Sequence, residues 1–480
     1  MIFNSYIFIL LFLPVCIVGY FSINRLEKYD LAQLFLLGMS IWFYGYLNIA
    51  YLSVIVGSIV FNYLIYLALN KQRKKSILFL GVSVNVCALI YFKYMDFFIE
   101  NINYIWGKEF ELLRIALPLG ISFFTFQQLS FIVDAYRGEI PRYNLLYYAS
   151  YVVFFPLVSA GPIVRHHELI PQFMDDNRKH VNWDNVAKGL YIFALGLAKK
   201  VLLADAFGRA VVWGYANIAA LDSTNAILVM LGYTFQIYFD FSGYSDMAIG
   251  IGKMLNIDLP LNFNSPYKAV TITEFWDRWH ISLTRFFTKY VYIPLGGNRK
   301  GSLRTYINIL IVFLISGFWH GASWNFVLWG LCHGLFSVLT RRFKRVFHEM
   351  HPALNWMITF GFVNVMWVFF RADTIAQAFK LLKKITMLGF GEINESLLAC
   401  FRLPEITVIL SHTSLEASCH YFMLALFYIG ALLLVLGAKN PYEKMQAFRN
   451  SIFKVCTTAL LMVWCIFSLS GISTFLYFNF

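Results

Sequence analysis

The side chains able to do chemistry are concentrated between Gln236 and His333. The sharpest candidate is His320, in the run Leu314-Ile315-Ser316-Gly317-Phe318-Trp319-His320-Gly321-Ala322-Ser323-Trp324-Asn325. It closes a strongly apolar stretch, small residues flank it, and two tryptophans stand close by. No carboxylate is near in sequence to hold the ring charged. A neutral imidazole is therefore expected, with one ring nitrogen able to accept a proton. General base catalysis on a hydroxyl is the chemistry that fits. A histidine satisfied within a packed core is the plainer alternative. His333, one to two turns into the next helix, is placed to line the same cavity.

A second candidate lies upstream. Thr271 or Thr273 can cap a helix that has Glu274 in its first turn. Phe275, Trp276, Trp279, Leu283, Phe286 and Tyr290 then recur at three- and four-residue steps, with Arg278, Ser282, Arg285 and Lys289 on the other face. The pattern predicts one amphipathic helix lying in the membrane interface. His280 falls beside its apolar stripe, and Asp277, three residues earlier, is placed to orient the imidazole. A lone histidine in such a stripe is more often structural. Before it, Tyr238-Phe239-Asp240-Phe241-Ser242-Gly243-Tyr244-Ser245-Asp246 sets two carboxylates in an apolar context. Asp240 and Asp246 read as an interhelical hydrogen-bond knot as readily as a functional pair. Gly243 and the glycines near 250–252 permit close helix approach.

Several chemistries are missing. There is no H-E-x-x-H, and His166-His167-Glu168 lacks the i, i+4 spacing of a zinc helix. No G-x-x-x-x-G-K-[ST] loop and no G-x-S-x-G elbow occur. The seven cysteines show no C-x-x-C pair. No metal site and no resident cofactor are expected, and one Cys400–Cys419 disulfide is left open.

The elements that must position these residues follow from composition. Of 480 residues, 59% are hydrophobic and 14% charged, with a mean hydropathy of +0.63. Soluble domains are about a quarter charged. The deficit excludes a soluble enzyme, a disordered chain and a fibrous repeat, and leaves an all-α polytopic membrane protein. Apolar runs begin near residues 2, 31, 49, 76, 115, 187, 225, 304, 325, 354, 421 and 453. They predict about eleven to thirteen membrane segments. The first run lacks a basic flank and a small-residue cleavage site, and is expected to be a retained helix. Residues 145–164 carry Pro156, Gly161 and Pro162 and are expected to form a broken segment covered by protein. Residues 206–220 are ambiguous. The segment 372–420 is the expected extracytoplasmic part, with a short amphipathic helix near 376–387.

The net charge is +13, but the cations sit in short loops: Lys71 to Lys75, Arg299 to Arg304 and Arg341 to Arg345. This is the positive-inside pattern of a membrane protein, not a nucleic-acid surface. The same loops suit membrane lipids and an anionic cytoplasmic substrate. The chain reads as a single domain, 1–480, with its motifs in a core over 116–372.

Taken together, the motifs carry a resemblance. Phe239-Asp240-Phe241-Ser242-Gly243-Tyr244-Ser245-Asp246, Asn262-Phe263-Asn264-Ser265-Pro266-Tyr267, Phe275-Trp276-Asp277-Arg278-Trp279-His280-Ile281-Ser282-Leu283, Tyr292-Ile293-Pro294-Leu295-Gly296-Gly297-Asn298-Arg299 and Trp319-His320-Gly321 with Trp324-Asn325 resemble the membrane-bound O-acyltransferase superfamily. The likeness is strongest to its bacterial polysaccharide O-acetyltransferase branch, typified by the alginate O-acetyltransferase membrane subunit. It runs from about Pro118 to Ala372 and implies a ring of helices around a thin centre crossed by a tunnel. It implies His320 as the catalytic histidine and places His280, with Asp277 and Arg278, near the cytoplasmic tunnel mouth. Trp276, Trp279, Trp319, Asn325, His333 and Asp240 are expected to line the tunnel or support it. Asn325 or a tryptophan N–H would stabilise the oxyanion.

The resemblance implies transfer of an acetyl group, from acetyl-CoA, to an extracytoplasmic polysaccharide across a bacterial cytoplasmic (inner) membrane. His320 would be general base or, by another route, acyl relay. It also implies a separate extracytoplasmic partner of SGNH-hydrolase-like fold. Two rivals stay open. One is D-alanyl transfer from a carrier protein in the teichoic acid manner. The other is a glycan transporter or flippase, for which paired broken segments would be expected and only one is found.

Overall fold

The computed structural model describes residues 1–403, 416–469 and 475–476. Among these residues no strand occurs, only an isolated antiparallel bridge between Phe263 and Trp279. Five helices are long and apolar enough to cross a membrane unaided: Ala50–Lys71, Lys75–Lys93, Gly301–His320, Pro352–Arg371 and Cys419–Gly437. Phe8–Asn24 and Ile452–Phe467 are apolar but shorter. Among the other expected runs, two form helices that bury polar side chains. Ile121–Arg137 and Ser223–Met254 bury Gln127, Gln128, Asp134, Asp240 and Asp246. Such helices are wrapped by protein, so their hydropathy need not match that of lipid.

The long Ser223–Met254 helix is the axis of the packing. It lies against Trp183–Ala198 with almost no space between backbones: a Cβ on Gly250 would sit 2.6 Å from Gly189 O, and one on Gly243 2.8 Å from Gly196 O. The glycines flagged in the sequence are therefore the contact itself. The ambiguous 206–220 stretch is a helix, Asp205–Ala216. The broken segment is also found. The helix Leu145–Val153 stops, and residues 154–164 run on without helix and buried. Their backbone groups find side chains instead. Phe155 N donates to Ser40 Oγ at 3.3 Å, Ile163 N donates to Ser282 Oγ at 2.9 Å, and Val164 O accepts from Tyr151 at 2.9 Å. Gly120 (φ +68°) makes room for this segment, because a Cβ there would meet Val158 O at 2.0 Å.

Helix directions place the basic loops together. Lys93, at the end of Lys75–Lys93, reaches the carbonyls that end Gly301–His320. Both helices therefore start at the opposite end. Trp324–Arg342 returns antiparallel, and Arg341 shares a cavity with Tyr306. Arg73 lies against Gly138, just past Ile121–Arg137. All three basic clusters thus occupy one end of the helices.

Two expectations are corrected. The amphipathic helix over 271–290 is two short helices, Ile272–Arg278 and Ile281–Phe287, with a break at His280 (φ +46°). The cause is the 262–264 segment, which pairs with the break: Asn264 N donates to Arg278 O at 2.9 Å and Ile281 N to Asn262 O at 3.0 Å. The segment is also embedded rather than interfacial, since Phe275, Trp276, Trp279 and His280 are all buried. The short helix expected near 376–387 is present as Ile375–Thr386, capped by Thr374. Of the segment 372–420, expected to be extracytoplasmic, residues 404–415 lie outside the described residues. Cys400 and Cys419 are both free thiols.

Candidate active site

His320 ends its helix and is 4% exposed. Its ring is enclosed by Trp319, Trp329 and Phe370, with centroids at 4.9, 5.1 and 5.3 Å. The turn that presents it is held from outside. Lys93 Nζ donates to Trp319 O at 2.8 Å and His320 O at 3.0 Å, and Tyr94 donates to Phe318 O at 2.7 Å. A cation at the last carbonyls of a helix satisfies groups that have no partner within the helix and complements the helix dipole. Gly317 lets the next helix close in, since a Cβ there would meet Phe326 O at 2.3 Å.

His280 is fully buried, and its neighbours connect it to His320. Trp319 stands between the two histidines, 6.1 Å from the His280 centroid. Phe241 meets His280 edge-on at 4.8 Å. The ring is oriented by Asn262, whose Oδ1 lies 3.2 Å from His280 Nδ1 and also accepts from Ser282 Oγ at 2.8 Å. A carboxamide oxygen only accepts, so Nδ1 carries the proton and Nε2 is the basic nitrogen.

Asp277 does not orient His280, which Asn262 does instead. Asp277 is exposed and lines the large cavity whose wall includes Trp276. Its position follows from the helix break, which turns 277 and 280 in different directions. Arg278 is likewise turned to Glu274, at 2.8 Å, and to Asn264 O, at 3.1 Å. Asn325 is not poised as an oxyanion donor: its Nδ2 donates to Ala372 O at 2.5 Å and ties two helix ends together. Asp240 sits outside the histidine cluster, in an ion pair with Lys200 at 2.6 Å, and accepts from Leu476 N at 2.8 Å. Asp246 pairs with Lys199 at 2.7 Å. The knot reading of both carboxylates is the one that fits.

His333 does join the site. Trp276 Nε1 donates to its Nδ1 at 3.3 Å, so its Nε2 carries the proton. Trp329 lies between His333 and His320, 4.7 Å from the former. His333 Nε2 and Trp329 Nε1 are buried N–H donors with no hydrogen-bond acceptor among the described residues. Trp279 stacks in the wall behind, against Phe275 and Trp367.

Two cavities approach this cluster from opposite ends. The larger, about 1010 Å³, runs along Gly301–His320 from Tyr306 to Ser316, with Trp276 in its wall and Arg341, Lys344 and His348 at the basic end. The smaller, about 310 Å³, is lined by Lys93, Gly120, Phe123, Ser159 and Trp319. Among the described residues no group of three metal-binding side chains occurs.

The sequence model of the membrane-bound O-acyltransferase family matches residues 36–375. The chain belongs to this family. The match begins well before the motifs do, and it makes the protein an integral membrane acyltransferase. Relatives cover most of it. A peptidoglycan O-acetyltransferase of Helicobacter pylori is 41% identical over 100% of this chain and 98% of that protein. A probable alginate O-acetylase of Pseudomonas aeruginosa is 39% identical over 82% of this chain and 76% of its own length. A teichoic acid D-alanyltransferase of Lacticaseibacillus rhamnosus is more distant, 27% identical over 62% and 77%.

Within an O-acyltransferase, most residues missed by sequence reasoning are supports. Lys93, Asn262, Lys199 and Lys200 act across gaps of 18 to 227 residues, while Trp329 stands four and nine residues from the two histidines it touches. Lys93 had one available signal, a lone cation closing an apolar run.

Proposed function

We propose that this O-acyltransferase moves an acetyl group from acetyl-CoA, bound at the cytoplasmic end, to a hydroxyl of a cell-envelope polysaccharide, with His320 as general base. The observation that carries this reading is the buried His320, set in apolar surroundings at the end of its helix between two cavities, one lined by Ser316 a turn before it and the other by Trp319 beside it. The basic end is cytoplasmic by the positive-inside rule, in a bacterial inner membrane. At about 1010 Å³, the cavity there matches the largest ordinary small-molecule sites. Arg341 and Lys344 at its edge suit the phosphates of a coenzyme.

In this mechanism the acceptor oxygen attacks the thioester carbonyl while its proton passes to His320. The carbon–sulfur bond breaks, and the proton leaves with the thiolate. Trp329 Nε1–H and His333 Nε2–H are the donors available to the oxyanion. The polysaccharide acceptor follows the activities named for the peptidoglycan and alginate relatives. The acceptor is either reached directly or through an SGNH-hydrolase-like partner that docks around the outer segment 372–420.

The test is transfer of labelled acetyl from acetyl-CoA by the purified protein, with and without glycan. His320→Ala is expected to abolish transfer at unchanged abundance. Transfer by that variant at the wild-type rate would end the proposal. A requirement for an acyl-carrier protein in place of acetyl-CoA would move the donor to the D-alanyl type.

A further inference from the structure

A third cavity, about 420 Å³, lies apart from the histidines, between the 183–204 segment, Ser223–Met254, Glu416–Gly437 and Ile452–Phe467. It has two unlike ends. Along Glu416–Gly437, Leu426, Phe427, Ala431 and Leu434 face it, and Leu461 and Trp464 close the far side. The facing positions on that helix climb about 12 Å at 1.5 Å per residue. This is an elongated apolar slot that takes about half an extended acyl chain.

The other end is polar and cationic. Lys439, Asn440 and Lys444 line it, with the Lys199–Asp246 pair in the wall. Asp246 neutralises Lys199 at 2.7 Å, and Glu443 is turned to Asn440 Nδ2 at 2.8 Å. Neither Lys439 nor Lys444 has a carboxylate within 4 Å among the described residues. Burial holds the Lys444 ammonium below its usual range; Lys199 and Lys454 add repulsion, only partly offset by Asp246 and Glu443. An anion at this mouth would relieve that.

The mouth also lies at the right depth. Ala438 O accepts from Ser265 Oγ at 3.1 Å, and the neighbouring Tyr267 O accepts from Trp356 Nε1 at 2.8 Å. Trp356 is in the first turns of Pro352–Arg371, whose start lies beside Arg341 and Lys344. The cationic end of the slot is therefore on the same face as the basic loops. We infer that this slot holds one anionic phospholipid of the cytoplasmic leaflet, its phosphate on Lys439 and Lys444 and one acyl chain between Leu434 and Leu426. Clusters of cations at this face favour anionic lipids, and the apolar slot selects a ligand that carries a chain.

The test uses the full-length protein, stripped of lipid in detergent and titrated in native mass spectrometry with phosphatidylglycerol or phosphatidylethanolamine of identical chains. Phosphatidylglycerol is expected to occupy one site at a several-fold lower concentration. Lys439→Gln with Lys444→Gln is expected to reduce that preference at least fivefold. Gly430 lines the slot and a Cβ there meets nothing within 4 Å. Gly430→Leu is therefore expected to fold normally and to lose retention of both lipids. Equal binding of the two lipids by wild type would overturn the inference, and so would a preference untouched by the lysine pair or retention untouched by Gly430→Leu. Displacement by millimolar inorganic phosphate would mark a simple anion site and equally overturn it. Acetyl transfer is not the readout, so failure of the acyltransfer mechanism leaves this result distinguishable.

Discussion

Replacing Lys93 by Met tests whether the turn that carries His320 must be held from outside. Lys93 Nζ donates at 2.8 and 3.0 Å to the carbonyls of Trp319 and His320. Methionine fills a similar volume and offers no donor. Each buried carbonyl left without a partner costs about 1 to 3 kcal/mol. Lys93 also borders the cavity of about 310 Å³ beside Trp319, where water can replace part of the loss. The low end of the range therefore applies, about 1 to 1.5 kcal/mol each and about 2 to 3 kcal/mol for the pair. If that energy is what keeps His320 in its reactive position, the rate falls roughly 30- to 150-fold, at 1.36 kcal/mol per tenfold. The assay is kcat/KM for acetyl transfer in vesicles at matched abundance, with thermal stability in detergent measured alongside. Lys93→Arg keeps the donors and should recover most of the activity. Lys93→Met activity within threefold of wild type would refute the reasoning. A loss that Arg fails to rescue would assign the effect to packing.

Trp329→Phe keeps a ring against His320 but removes Nε1–H; kcat should fall about 100-fold or more with little change in KM or stability, measured by steady-state kinetics. Lys200→Met leaves the buried Asp240 without its 2.6 Å partner and should cost about 3 to 5 kcal/mol of stability. Adding Asp240→Leu should recover much of that, read from thermal unfolding in detergent.

The candidate site was legible wherever chemistry is written in neighbouring residues. His320 between small residues, the proline-broken stretch over 154–164 and the helix Ile375–Thr386 all follow from local pattern. What failed was any inference that assumed one continuous helix. Asp277 sits at helical distance from His280 only if the chain stays helical, and pairing with Asn262–Asn264 stops it. Asn325 had the chemistry of an oxyanion donor, but Ala372 O lies 2.5 Å from its amide. Lys93 and His320 are 227 residues apart, and no spacing rule connects them. Asp240 and Asp246 stood out as buried charges, yet their partners were two adjacent lysines in another helix that hydropathy alone treats as noise.

The three buried histidines of the site are not interchangeable, because their neighbours fix different protons. Asn262 Oδ1 accepts at His280 Nδ1, which makes Nε2 basic. Trp276 Nε1 donates to His333 Nδ1, which makes His333 Nε2 a donor. Trp276 is thus tied to the chemistry through a tautomer as well as through packing. If His333 serves the oxyanion as an N–H donor, Trp276→Phe acts by letting the His333 proton move to Nδ1, and its cost depends on His333 being present. In wild type the substitution should lower kcat about tenfold, an order of magnitude set by a hydrogen bond of about 1 to 1.5 kcal/mol. In a His333→Ala background it should lower kcat hardly at all. The double-mutant cycle measures that coupling directly. Additive losses would mean that Trp276 shapes the large cavity only, and that His333 holds no proton that matters to the reaction.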